Sequence, residues 1–254
     1  MGCRIPEWPV ASPEVGLTGK RWIAVAEDLA KLAQRYPLAA LVGRAGMGKS
    51  QILLHVCGRL DCVYVDATEL PERSLAYIAA AVAWRLAPKL QPKGRIAGVY
   101  KKYGFQGLLS LAQGDPGWLL SQTLAEYGSR IVVAVDELIP SPEDPAFFQA
   151  ASALHRLRNM ALKSAGFIFS FLPEVYEKLA EKIPPLGNIL SSFSVQIPDV
   201  LDEDDVVEII ERYCPEKVKE AVSAWRAKPD ISIRELLLAI SATKAIEVPI
   251  MEAP

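Results

Sequence analysis

The chain has 254 residues, 51% of them hydrophobic and 23% charged, with a formal net charge of −2. That length allows one large domain, or a large one with a small appendage, and the near-neutral balance excludes a global pull toward nucleic acid, leaving only local patches. No apolar run approaches the roughly 18 residues of a membrane-spanning helix and no basic-then-apolar leader opens the chain, so a cytoplasmic protein is expected.

Residues 1–18 contain Pro6, Pro9 and Pro13 and no period, which predicts an extended lead-in. From Lys20 to Tyr36, apolar residues recur at helical spacing (Trp22, Ile23, Val25, Ala26, Leu29, Leu32, Ala33) up to Pro37. Short apolar runs then alternate with helical segments. LAALV (38–42), CVYVD (62–66), IVVAV (131–135), GFIFSF (166–171) and FSVQI (193–197) read as strands. Helices are expected over Lys49–Cys57, Ser74–Ala87, Pro145–Lys163 and Pro173–Lys182. Continuous apolar strands alternating with helices predict a parallel sheet covered on both faces. After Pro198 only helices follow: one capped by Asp202 and running to Tyr213, one opened by Pro215 and ending near Lys228, and one opened by the capping box Ser232-x-x-Glu235. A boundary near residue 199 divides a core (1–199) from a helical lid (200–254).

GRAGMGKS, Gly43 to Ser50, fits G-x-x-x-x-G-K-[ST] between a strand and a helix. Each position has a task. Gly43, Gly46 and Gly48 let the backbone curl, so that the amides of Arg44, Ala45, Met47 and their neighbours through Gln51 face phosphate oxygens. The helix opening at Lys49 adds its positive end, the Lys49 ammonium reaches the β- and γ-phosphates, and the Ser50 hydroxyl ligates Mg²⁺. IVVAVDEL (131–138) places Asp136 and Glu137 at the carboxyl edge of the sheet, where ligands bind in such folds. Asp136 is expected to hold Mg²⁺ through water, and Glu137 to orient and deprotonate an attacking water.

Softer candidates surround this core. Ser170, near the end of the fourth strand, could touch the γ-phosphate. Asp66 could hydrogen-bond near Glu137 or cap a turn. Residues 88–104 carry Lys93, Arg95, Lys101 and Lys102 beside Tyr100 and Tyr103, a pattern able to track a nucleic-acid backbone, or simply a solvated surface insertion. Cys3, Cys57, Cys62 and Cys214 have no metal-ligand spacing. With only two asparagines the composition leans to a thermophile, where a cytosolic Cys57–Cys62 disulfide is permitted.

These residues together resemble the AAA+ ATPases, nearest the archaeal branch of origin-binding initiators, helicase and transposition loaders, and STAND signalling ATPases. LTGKRWIAVAEDLAKLA is similar to the helix before the family's P-loop, GRAGMGKS and VVAVDEL to its Walker A and B segments, GFIFSF to its sensor 1 strand with Ser170, and SIREL to sensor 2 with Arg234. The resemblance implies a five-stranded αβα sandwich of order 5-1-4-3-2, an ATP·Mg²⁺ cofactor, hydrolysis of ATP, and a lid whose Arg234 reaches the γ-phosphate. It also implies a DNA-associated loader or remodelling ATPase, with a STAND-like switch that binds a protein partner without DNA as the alternative. One departure stands out. The family's segment before the fifth strand often reads L-x-S-R-F, whereas here it is LSSF, with Ser192 in place of the arginine finger. Arg156 and Arg158 are candidate substitutes, and otherwise a protein partner or a second copy of the chain has to supply that charge. Such a finger contributes about 10³–10⁵ in rate, so turnover by the chain alone is expected to be slow.

Overall fold

The computed structural model describes residue 11, residues 16–161 and residues 165–242, giving only the backbone at 158–161 and 242. Most of the expected lead-in, the end of the chain after 242 and the Arg158 side chain lie outside the described residues.

Five parallel strands, β1 (Leu38–Val42), β2 (Cys62–Asp66), β3 (Ile131–Asp136), β4 (Ala165–Phe171) and β5 (Ser194–Gln196), form one sheet in the order β2-β3-β4-β1-β5. This is the expected order read from the other edge. Every residue of β1, β3 and β4 is buried, as continuous apolar runs require when both faces are covered, whereas edge strand β2 alternates. Side chains point alternately to two cores. Leu38, Ala40, Val42, Val133, Val135 and the stacked Phe167, Phe169 and Phe171 face one. Ala39, Leu41, Val132, Ala134 and Ile168 face the other, with α1 (Lys20–Arg35) and α2 (Lys49–Arg59).

Helix α1 forms because Trp22, Val25, Ala26, Leu29 and Ala33 share one face, all buried. Helix α3 (Leu75–Leu86) is apolar nearly all round, and neighbours bury it: α4 (Arg95–Gly114) and α5 (Pro116–Tyr127) pack on it. Residues 88–104, to which the sequence reading gave no element, run through a turn into the first half of α4, with their basic side chains at the surface. Glu126 accepts from the Ile96 N–H and so caps α4, and Asp115 accepts from the Trp118 N–H and caps α5. Helix α4 bends at Gly104, whose φ of 60° only glycine adopts at little cost. Helices α6 (Phe147–Ala161), α7 (Pro173–Lys182) and α8 (Pro184–Ser192) complete that layer.

The chain then runs through α9 (Glu203–Tyr213), α10 (Val218–Ala227) and α11 (Ile233–Ala242). Both expected caps are present: Asp202 and Asp205 exchange bonds at the start of α9, and Ser232 and Glu235 do so at α11. The apolar faces of these helices (Val206, Ile209, Ala221, Leu236, Leu237, Ile240) continue the core of α1 and α2. Arg21 ties α1 to the α9 cap through Asp202 and Asp205. Cys57 and Cys62 are joined in a disulfide between the end of α2 and the start of β2.

Candidate active site

The turn between β1 and α2 is held from below. Trp22 Nε1 donates to the Met47 carbonyl at 2.7 Å, and the Met47 side chain is fully buried. Gly48 enters α2 in the left-handed region (φ 87°), and no side chain caps the first amides of the helix. Those donors are left facing the cleft, the arrangement in which a helix start receives an anion. Gly46, also at positive φ (75°), leaves no room for a side chain: a Cβ there would lie 2.8 Å from Ser232 Oγ. Lys49 is only 8% exposed. Its ammonium donates to the carbonyls of Gly43 (2.7 Å) and Arg44 (3.0 Å). Burial pushes its pKa below the ordinary lysine value, against the opposing pull of Asp136 and Glu137.

Asp136, 1% exposed, ends β3 with both carboxylate oxygens engaged. Ser170 Oγ donates to Oδ1, and Tyr64 Oη donates to Oδ2 at 3.0 Å. Ser50 also hydrogen-bonds the Tyr64 phenol, which burial and the neighbouring Asp136 hold in its neutral form. Tyr64 is half-buried in β2, and its length carries the hydroxyl from the level of Ala134, its strand partner, up to the sheet edge.

Glu137 follows with φ 51°, the left-handed region, at a residue that is not glycine. Such a conformation costs about 1–3 kcal/mol and clusters at functional sites. Its N–H donates to Ser170 Oγ at 3.1 Å, so Ser170 fixes both acidic residues. Partial desolvation in the cleft first, then Asp136 and Asp66, raise the Glu137 pKa above its ordinary value although the side chain remains exposed, with Lys49 and Arg234 opposing. Asp66 itself caps a turn, accepting from the Thr68 N–H and hydroxyl.

Opposite these groups stands the start of α11. The Arg234 N–H donates to the Gly46 carbonyl at 3.2 Å, placing this arginine at the mouth of the P-loop. A cleft of about 200 Å³ lies between. Lys49, Ser50, Glu137, Ser170 and Arg234 are among its polar lining, and Gly16, Leu17, Ile209, Tyr213 and Leu237 also line it. Ala45, Gly46, Gly48 and Gln51 line it too, whereas Gly43, Arg44 and Met47 do not. The Arg44 side chain turns outward to the carbonyls of Asp199 and Asp230.

The basic residues Lys93, Arg95, Lys101 and Lys102 lie elsewhere, exposed on α4 and the turn before it. Arg156 is exposed on α6.

Sequence reasoning passed over Tyr64, Trp22 and the outward task of Arg44. Tyr64 and Trp22 carried only the signal of apolar residues at strand or helix spacing, and Arg44 counted as one more cradle residue.

No protein-family model matches the chain, and no curated protein matches it. Solved structures do. Orc1 of Aeropyrum pernix, in complex with DNA, superposes with a TM-score of 0.58 at 14% identity, over 95% of this chain and 62% of that one. A Walker-type ATPase of Pyrococcus abyssi gives 0.57 at 16%, over 87% and 67%. Cdc6p of Pyrobaculum aerophilum gives 0.54 at 17%, over 92% and 65%. The chain thus spans 62% of the Orc1 chain's length and 65% of that of Cdc6p. At these identities the likeness establishes the fold alone: the five-stranded parallel P-loop sheet followed by helices that these proteins share.

Proposed function

We propose that this chain, an AAA+ fold of the initiator type, binds and hydrolyses ATP with Mg²⁺ and does so in association with DNA. One observation carries the reading. The helix-start amides, Lys49, Glu137 and Arg234 face one cleft from its two sides, with Asp136 buried just behind. The triphosphate would draw the Lys49 ammonium from the carbonyls of Gly43 and Arg44. Glu137, its pKa raised by desolvation and by the neighbouring carboxylates, is suited to accept the proton of an attacking water. Arg234 faces the charge that develops on the γ-phosphate.

The residues fit Mg²⁺. Among the described residues no cluster of three or more His, Cys, Asp or Glu could hold a metal. Mg²⁺ asks for less, commonly one or two protein oxygens beside phosphate oxygens and water. Ser50 and Asp136 are the residues that would hold it, and the ion would supply neutralisation of phosphate charge.

The association with DNA rests on the fold shared with Orc1, whose solved structure is a complex with DNA, and on α4. There Lys101, Lys102 and the 57%-exposed Tyr103 sit together, with Trp84, 40% exposed, against Tyr100 and Phe105. Cations beside exposed rings suit a phosphate backbone and unstacked bases.

The decisive experiment measures ATP turnover and oligomer mass with and without single- and double-stranded DNA. Turnover that rises with DNA, and binding that weakens steeply with salt, are expected. Turnover unaffected by DNA, with no salt-dependent binding, would sink the DNA reading in favour of a protein-interaction switch. No phosphate release under any condition would sink the hydrolase reading.

A further inference from the structure

Arg44 occupies a position in the P-loop but reaches away from the cleft. Its two terminal nitrogens go to different segments: Nη1 donates to the Asp199 carbonyl at 2.9 Å, and Nη2 to the Asp230 carbonyl at 3.2 Å. Asp199 lies in the connection from β5 to α9, and Asp230 in the turn from α10 to α11. A guanidinium suits this double task because its donors are spread and fixed in a planar fork that spans two segments, whereas a lysine ammonium is a compact point charge without that fixed spread.

The backbone of the same residue serves the other side. The Arg44 carbonyl accepts from Lys49 Nζ at 3.0 Å. Lys49 is the cation that has to move when a phosphate arrives, and it rests on the residue whose side chain carries the C-terminal helices. Two further contacts join the same parts: the Arg234 N–H on the Gly46 carbonyl, and Ser232 packed on Gly46 where no Cβ fits.

We propose that Arg44 is a positioning residue: it seats the start of α11 on the P-loop before any nucleotide binds, so that occupancy of the loop and placement of Arg234 are coupled. The proposal rests on the nucleotide-site reading above. It assigns Arg44 no contact with phosphate. The walls supplied by Ile209, Tyr213, Arg234 and Leu237 belong to the helices it holds, so loosening the seat opens the cleft from that side.

Hydrogen exchange of the ligand-free protein tests the seat, and stopped-flow release of a fluorescent ATP analogue tests the coupling. In Arg44→Ala, amides of residues 231–236 should exchange about threefold faster, the effect of losing a charged hydrogen bond at the surface, while α2 and β1 keep their protection. Release of the analogue should quicken by a similar factor, and Arg44→Lys should fall between. Unchanged exchange at 231–236, or a rise spread equally over α2 and β1, would overturn the seat. Faster exchange with unaltered release would overturn the coupling. Because exchange is read without nucleotide, a wild-type protein that failed to bind the analogue would count against the nucleotide reading and leave the seat standing or falling on its own result.

Discussion

The two walls of the cleft are held by different physics. On the sheet side, Lys49 and Asp136 are 8% and 1% exposed, and the ties around them are buried or half-buried: Trp22 to the Met47 carbonyl and Ser170 to Asp136 buried, Tyr64 to Asp136 half-buried. On the helical side, the ties are at the surface. Arg44 reaches two exposed carbonyls, and Arg226 pairs with Glu203 where the side chains are 64% and 48% exposed. Exposed pairs contribute about 0–1 kcal/mol, whereas leaving a buried donor or acceptor unsatisfied costs about 1–3 kcal/mol. The polar ties of the sheet wall therefore hold their atoms more firmly than those of the helical wall, whose seating comes from the apolar core it shares with α1 and α2.

The largest effect expected is at Glu137. Glu137→Gln should lower turnover by about 10²–10⁴, the contribution of a general base, while ATP still binds, because the amide keeps the side chain's shape. Lys49→Ala should instead weaken nucleotide binding by about a hundredfold through loss of charge-assisted contacts. Isothermal titration of both variants separates them, and an equal loss of binding in the two would contradict the role given to Glu137. Next in size comes a direct test of the two walls. Trp22→Phe leaves the Met47 carbonyl without its donor and should cost about 1–3 kcal/mol. Arg226→Ala, on the helical wall, should cost no more than about 1 kcal/mol. Urea unfolding of both reads the comparison, and a larger loss at Arg226 would reverse it.

Much of this was legible because the polar site carries a motif and the central strands carry a pattern. GRAGMGKS and the acids closing IVVAVDEL point to one sheet edge in any parallel fold, and that is where Lys49, Asp136 and Glu137 stand. Helices α4 and α5 were missed for a physical reason. Gly94, Gly98, Gly104, Gly107, Gly114 and Pro116 are residue types that disfavour helix interiors, yet Gly104 only bends α4, and Pro116 occupies the first turn of α5, where its missing N–H has no consequence. The signal that could have found them lies in α3: a helix apolar all round needs covering on every side. The contacts of Arg44 were not legible, because a carbonyl acceptor leaves no trace in residue type. The hydroxyls on Asp136 were half legible. Ser170 stood out at a strand end near the acids, while Tyr64 looked like ordinary strand filling.

The smallest effect expected concerns stability, and its sign is fixed by the raised Glu137 pKa. A carboxyl whose folded pKa lies above its unfolded value binds its proton more tightly in the native state, so ionising it costs stability. The cost is absent below the ordinary carboxylate pKa, grows as pH rises from there to the folded pKa, and is complete above it. Glu137→Gln removes it. The ligand-free variant should therefore melt slightly higher than the wild type at neutral pH, by well under about 1 kcal/mol because solvent screens an exposed side chain, with the gap closing at acid pH. Both proteins keep the left-handed backbone at residue 137, so the substitution isolates charge from strain. A variant no more stable at neutral pH would mean that Lys49 and Arg234 already offset the carboxylate's burial, and that the sheet wall holds a balanced charge where a strained one is inferred.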